Sequence, residues 1–228
     1  MAPSVTVVLL NYKRPHNLIK VIHSLNNQTV RPAIYLWDNA DTPLSKHYGG
    51  YKENVGTDWY VHSSRNEFCP PRWWMAAHAP TEYVMTCDDD LMPGDGKLIE
   101  DLISQMSVLD YFSIIGAFGK QLQSDVDYEH CPAAERGEFC DIILGRMMFM
   151  RTDSLQASLH GYWHAFRNDL ITDDIAISSL MGGVANRRHY CSPVFNDRLV
   201  ELPDDHATCR EEGHFIRREE ARRRWFKT

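Results

Sequence analysis

Residues 4–11, SVTVVLLN, run without a polar alternation. A half-buried strand would place a polar residue at every second position, so this run describes a strand covered on both faces, as in a parallel sheet between layers of helices. Pro15 then opens a helix. In HNLIKVIHSLNNQ the apolar residues Leu18, Ile19, Ile22 and Leu25 recur at helical spacing, which packs one face onto the sheet. AIYLWDN (33–39) and TDWYVH (57–62) read as strands, PRWWMAAHA (71–79) as a helix begun by proline, and EYVMTC (82–87) as another strand. This β-α-β-β-α-β succession predicts an α/β fold with right-handed crossovers and a mostly parallel central sheet flanked by helices. The 228 residues suffice for one continuous domain, read as a half ending near residue 110 and a second half over 111–228.

Ligands of open α/β sheets bind outside the carboxyl ends of the strands. Three such ends here are polar: Asn11-Tyr12-Lys13-Arg14, Asp38-Asn39, and the run TCDDDLMPGD at 86–95. Asp88, Asp89 and Asp90 repel one another unless a cation or a base absorbs their charge. An EF-hand would need Gly and Glu at the sixth and twelfth loop positions, which counted from Asp88 are Pro93 and Ile99, so that reading fails. Two readings stay open. One is a solvated turn leading into the helix of GKLIEDLISQM, with Asp95 as its N-cap. The other is a D-x-D metal site on an extended segment, with Asp88 and Asp90 on one side and Asp89 pointing away. Hard carboxylate oxygens suit Mg²⁺ or Mn²⁺, and too few are present for a closed cage, so diphosphate oxygens would complete the shell. A second acidic pair stands in ITDDIAISSLM, where Asp173 and Asp174 precede a helix with apolar Ile175, Ile177, Leu180 and Met181. They read either as N-capping residues or as groups facing a reacting sugar carbon.

The formal charge of −7 argues against an electrostatic grip on a nucleic-acid backbone or an anionic membrane. From Cys209 to Thr228 the balance is +3, which leaves −10 on the rest of the chain. That basic tail is either a solvated helix or a surface that faces phosphate. No window approaches the roughly 20 apolar residues that span a bilayer, and the apolar start lacks a signal peptide's basic flank, so a soluble, cytoplasmic protein is expected. Six cysteines lie scattered without a C-x-x-C pair, which reads as buried free thiols, and only Cys131 and Cys140 are near enough for a local bridge. Trp73 and Trp74 read as core residues or as rings for stacking on a sugar or base.

VTVVLLNYKRP, LWDNAD, CDDDLMPGDGKLIEDL, FSIIGAFGKQ, FCDIILGRMMFMR and TDDIAISSLM follow one another in a way that resembles the catalytic domain of the exostosin and exostosin-like glycosyltransferases. The resemblance implies a single GT-A (Rossmann-like) domain that uses a UDP-sugar and Mn²⁺ and transfers N-acetylhexosamine with retention. It implies metal contacts for Asp90, with Asp88 near the ribose or the metal's water shell. Tyr12, Arg14, Asp38, Asn39, Arg72 and Asp89 would surround the nucleotide. Asp174, with Asp173 beside it, would lie close to the anomeric centre. His214 would touch the diphosphate or metal, with His206 as runner-up, and Arg218 would stabilise the leaving diphosphate. Elementary geometry supports the last pair, since residues four apart on a helix share a face and a guanidinium matches phosphate oxygens.

The cysteine pair of that family is replaced by Thr172 and Ala221, and 125–138 (DVDYEHCPAAERGE) does not match it well. The acceptor is left open among a glycan, a protein side chain, a lipid-linked sugar and a modified nucleic-acid base, the last least favoured by the acidic body. A nucleotidyltransferase is the rival chemistry, although no Gly-rich phosphate loop follows the first strand. A nucleotide-sugar-binding module without catalysis is the other alternative.

Overall fold

Strand β1 (Val5–Asn11) is buried at every position, as its unbroken apolar run requires. A computed structural model describes residues 4–44, 56–109, 113–160, 172–183, 189–204 and 211–226. In chain order the further strands are β2 (Ala33–Asp38), β3 (Trp59–His62), β4 (Tyr83–Cys87), β5 (Leu91–Pro93), β6 (Ile115–Gly116), β7 (Gly119–Lys120), β8 (Ala133–Ala134), β9 (Glu138–Cys140), β10 (Ile142–Ile143), β11 (Met147–Arg151), β12 (His189–Cys191) and β13 (Leu199–Glu201). The helices are α1 (Pro15–Asn26), α2 (Pro71–Ala77), α3 (Leu98–Met106), α4 (Thr152–Leu159), α5 (Asp173–Gly183) and α6 (His214–Phe226).

The main sheet has eight strands in the order β3-β2-β1-β4-β11-β6-β12-β9. Neighbours β3/β2, β2/β1, β1/β4 and β6/β12 are parallel, whereas β11 runs antiparallel to both β4 and β6, and β12 to β9. The sheet is thus the mixed central sheet of an α/β fold, with helices on its faces. Two small sheets, β10-β7-β8 and β13-β5, stand beside it.

Alternate residues of β1 feed two cores. Val5, Val7 and Leu9 pack with Leu18, Val21, Ile22 and Leu25 of α1 and with Leu98, Ile99 and Leu102 of α3. Val8 packs on the other side with Trp73, Met75 and Ala76 of α2 and with Ala176, Ile177 and Met181 of α5. Each fully buried aliphatic side chain of this kind contributes roughly 1.5–3 kcal/mol, which binds the helices to the sheet. The first core also takes in Ile115, Met147 and Phe149, so both halves of the chain share it.

Two expectations are corrected. Asp88, Asp89 and Asp90 are not an extended segment, because residues 89–90 form a tight turn between β4 and β5. Asp95 is not an N-cap: α3 starts two residues later behind Lys97, and Asp95 instead accepts from Lys97 N at 2.8 Å and from Arg198 Nη2 at 2.8 Å. The reading of the cysteines as unbridged thiols holds for those described: Cys131 and Cys140 form no disulfide, nor do Cys69, Cys87 and Cys191. Among the described residues no helix is long and apolar enough to cross a membrane. His206 and Cys209 lie outside the described residues.

Candidate active site

The carboxyl end of β4 delivers Asp88 to Asp90 beside the end of β1. Tyr12 N donates to Asp89 Oδ2 at 3.0 Å, and Arg14 Nη1 reaches Asp89 Oδ1 at 2.6 Å and Asp90 Oδ2 at 3.3 Å. Lys13, at φ 62°, takes the left-handed conformation uncommon for a residue with a side chain, and this sharp turn lies between the two contacts. Asp89 therefore faces inward, opposite to the alternation expected of an extended run. Burial pushes its carboxyl up to about 7 in spite of Arg14. Burial and Asp88 push Asp90 upward as well, against the pull of Arg146 and Arg14.

Helix α2 serves the site through successive residues. At roughly 100° per residue, three neighbours on a helix point three ways. Arg72 points at the carboxylates: Nη1 donates to Asp88 Oδ1 at 2.8 Å and to the carbonyl of Gly145 at 2.9 Å, and Nε lies 3.4 Å from Asp173 Oδ2. Trp73 is fully buried and donates from Nε1 to Asp173 Oδ2 at 2.6 Å. Trp74 turns outward, 42% exposed, against Trp59 and Trp37. The two tryptophans thus divide the roles that sequence left open, one in the core and one at the surface.

Asp173 and Asp174 begin α5, where the helix dipole favours negative charge. Burial pushes the Asp173 carboxyl up to about 6, opposed first by Arg72. Asp174 Oδ1 accepts from Ile175 N at 2.9 Å, while Oδ2 accepts from Gly145 N at 3.2 Å and from Arg218 Nη2 at 2.7 Å. Arg218 Nη2 also reaches the Tyr128 hydroxyl at 2.7 Å. Burial works against the Arg218 charge, yet Asp174 holds its pKa above the ordinary value. His214 and Arg218 are both buried on α6. Burial, and then the Arg218 charge, lower the His214 pKa.

Two sequence candidates turn out to brace the site from behind. Both oxygens of the fully buried Asp38 are engaged, by Asn11 Nδ2 at 2.7 Å, Ala40 N at 3.1 Å, Leu44 N at 3.0 Å and Tyr60 Oη at 2.8 Å. Asn39 accepts from Trp37 Nε1 and Glu67 N and donates to Phe68 O, which pins the loop before α2. Sequence reasoning missed Arg146, whose Nη2 lies 3.4 Å from Asp90 Oδ1 and whose carbonyl accepts from Asp88 N at 2.9 Å. It also missed Gly145 and Tyr128. Tyr128 stands among the acidic residues Asp125, Asp127 and Glu129, which mark no pattern of their own, and Gly145 and Arg146 precede β11 with no periodic signal.

Among the described residues no three His, Cys, Asp or Glu side chains gather to hold a metal ion. The expected trio of Asp88, Asp90 and His214 is therefore not assembled: the carboxylates face Arg72, Arg14 and Arg146, while His214 packs beside Arg218. What remains fits an ion that takes most of its ligands elsewhere. Asp88 is the most open of the three aspartates, its side chain 28% exposed, and its neighbour Asp90 is held only at 3.3 and 3.4 Å. Mg²⁺-type ions are commonly bound through one or two carboxylates plus substrate phosphates. Arg14 Nε and His214 Nδ1 are buried without hydrogen-bond partners among the described residues, which points to a ligand with acceptor atoms.

This is the fold of solved nucleotide-sugar glycosyltransferases. A mannosyltransferase from Pyrobaculum calidifontis, solved with GDP-Man and Mn²⁺, superposes with a TM-score of 0.54 at 14% identity over 85% of this chain and 55% of that one. S. aureus TarS 1-349, solved with UDP-GlcNAc, superposes with a TM-score of 0.58 at 14% identity over 95% of this chain and 61% of that one. The chain thus spans little more than half the length of these two structures, and the likeness is one of fold. No protein-family model and no curated protein sequence matches the chain.

Proposed function

We propose that this chain is a glycosyltransferase that moves a sugar from a nucleoside diphosphate, UDP by preference, to a hydroxyl-bearing acceptor. The observation that carries the reading is the meeting of two acidic blocks far apart in sequence: Arg72 joins Asp88 to Asp173, and Arg218 closes on Asp174. In the reaction the bond from the anomeric carbon to the β-phosphate oxygen breaks, a bond to the acceptor oxygen forms, and the acceptor's proton leaves. Asp88 and Asp90 would hold Mn²⁺ or Mg²⁺, which when bound neutralises diphosphate charge as a Lewis acid. Arg218 and Arg14 supply fixed positive charge where negative charge grows on the leaving group, and His214 offers its unpartnered nitrogen nearby. Asp174, held in place by Gly145 N and Ile175 N, steadies positive charge on the sugar or orients the acceptor hydroxyl. Retention and an N-acetylhexosamine donor follow from the exostosin resemblance. An inverting route would use Asp173 or Asp174 as general base.

Incubation of the chain with UDP-GlcNAc, other UDP-sugars or GDP-mannose and Mn²⁺, with and without candidate acceptors, tests the reading. Sugar-dependent release of nucleoside diphosphate that EDTA abolishes is the expected result. Pyrophosphate release from nucleoside triphosphate plus sugar phosphate would overturn it in favour of nucleotidyl transfer, and tight nucleotide-sugar binding with no turnover would overturn it in favour of a binding module.

A further inference from the structure

Tyr128 lies in the stretch that departs from the family pattern, yet it is docked onto α6 at two points. Its backbone N–H donates to Glu219 Oε2 at 2.9 Å, and its hydroxyl accepts from Arg218 Nη2 at 2.7 Å. The ring itself lies under two cations, with Arg218 Cζ and Lys120 Nζ each 4.7 Å from its centroid. Lys120 Nζ closes the turn that carries the tyrosine by donating to the carbonyls of Tyr128 at 2.8 Å, Glu129 at 3.0 Å and Cys131 at 3.0 Å. The residue is 1% exposed, and burial pushes its hydroxyl up to about 12, so it stays a neutral partner over the working pH range.

Arg218 spends one terminal nitrogen, Nη2, on both Tyr128 and Asp174. A guanidinium held by a single carboxylate oxygen still swings about that contact. A second acceptor on the same nitrogen, together with a ring beneath the plane, fixes its angle. We infer that Tyr128 is a positioning residue: it sets the Arg218 fork so that the remaining N–H groups meet the departing diphosphate. This rests on the glycosyltransferase reading for its chemistry, while the geometry it asserts is testable without turnover.

Tyr128→Phe keeps the ring and removes only the hydroxyl. The expected result is a kcat for UDP release from UDP-sugar about tenfold lower with KM for the donor within twofold, because the lost alignment matters most as charge develops. Its melting temperature should fall by only a few degrees, as for one lost buried hydrogen bond, and Tyr128→Ala, which also loses the stacked ring, should lower kcat further. Independently of any substrate, the Arg218 guanidinium ¹⁵N signals, assigned by their loss in Arg218→Lys, should change from hindered in wild type to averaged in Tyr128→Phe. Unchanged signals in that variant would overturn the inference, even if wild type turned over no sugar nucleotide and the functional reading failed on its own. A wild-type kcat in Tyr128→Phe, or an activity loss that only mirrors a loss of folded protein by circular dichroism at the assay temperature, would overturn it as well.

Discussion

Arg72 Nη1 donates to Asp88 Oδ1 at 2.8 Å, and the same guanidinium lies 3.4 Å from Asp173. One buried cation thus joins the end of β4 to the start of α5. Replacing it by Met removes the counter-charge of two carboxylates, one of them fully enclosed. Breaking a buried pair in this way costs about 3 kcal/mol. Calorimetry should show Arg72→Met melting roughly 10 °C lower, at about 2–4 °C per kcal/mol for a chain of this size. A shift of a degree or two would mean that the arginine adds nothing to the fold.

Asp90→Asn should spare the fold and remove metal dependence. The amide keeps the shape of the side chain but not its charge, so affinity for Mn²⁺ and with it nucleotide release should fall on the order of 100-fold. Titration of UDP release against Mn²⁺, with circular dichroism as the folding control, gives the measurement. Full activity at wild-type Mn²⁺ concentrations would remove Asp90 from the site.

Among the described residues, Arg218→Ala leaves Asp174 with Gly145 N and Ile175 N as donors. Loss of a fixed charge at the leaving group should lower kcat by about 10²–10³. Arg218→Lys should recover a small part, since an ammonium that meets Tyr128 and Asp174 has no planar fork left to turn toward the diphosphate. Equal rates for Lys and Arg at this position would show that a point charge is enough.

Asp173 faces Arg72, Trp73, Asp174 and Asp88, and burial raises its carboxyl to about 6. Its unfolded value is about 3.9, so between those limits the folded state binds more protons than the unfolded one. Stability that protonation provides at low pH is therefore lost as pH rises from about 4 through 6. Asp173→Asn carries a permanent stand-in for the protonated acid and accepts from Trp73 through its amide oxygen. Melting curves between pH 4.5 and 7 should fall for wild type relative to this variant; parallel curves would contradict the raised value.

Gly116 in β6 has no room for a methyl group, because a Cβ there would overlap the side chain of Ile143. The Gly116→Ala variant should lose about 1–3 kcal/mol to overpacking, read from urea unfolding. Pairing it with Ile143→Ala should restore part of that loss.

The parts of the fold legible in sequence are those with a strong period. β1, β2, β4 and α1 lie within a residue or two of their expected limits because a doubly covered strand must be apolar throughout and a helix packed on a sheet must repeat its apolar face. Strands such as β6, β7, β8 and β10 span two residues each, too few for any period to show. The antiparallel insertion of β11 between β4 and β6 was equally hidden, since a buried run carries no mark of direction.

At the site, sequence supplied the chemistry and the structure supplied the partners. The aspartate run, the second acidic pair and the basic C-terminal helix were all visible as charge that a fold must compensate. Which cation meets which carboxylate was not, as Arg146 and Asp90 show: nothing in the intervening residues relates the two until β11 aligns with β4. The assumed extended geometry of Asp88 to Asp90 failed for the same reason, because the pairing of β5 with β13 lies beyond the turn and outside any local rule.

By itself the sequence determined the α/β class and the acidic character of the rim at the strand ends, because burial and charge repulsion act on every local stretch. Only the tertiary structure decided that Arg72 joins the two acidic blocks and that Tyr128 holds Arg218, because contacts between distant segments depend on how layers pack and not on the residues beside them.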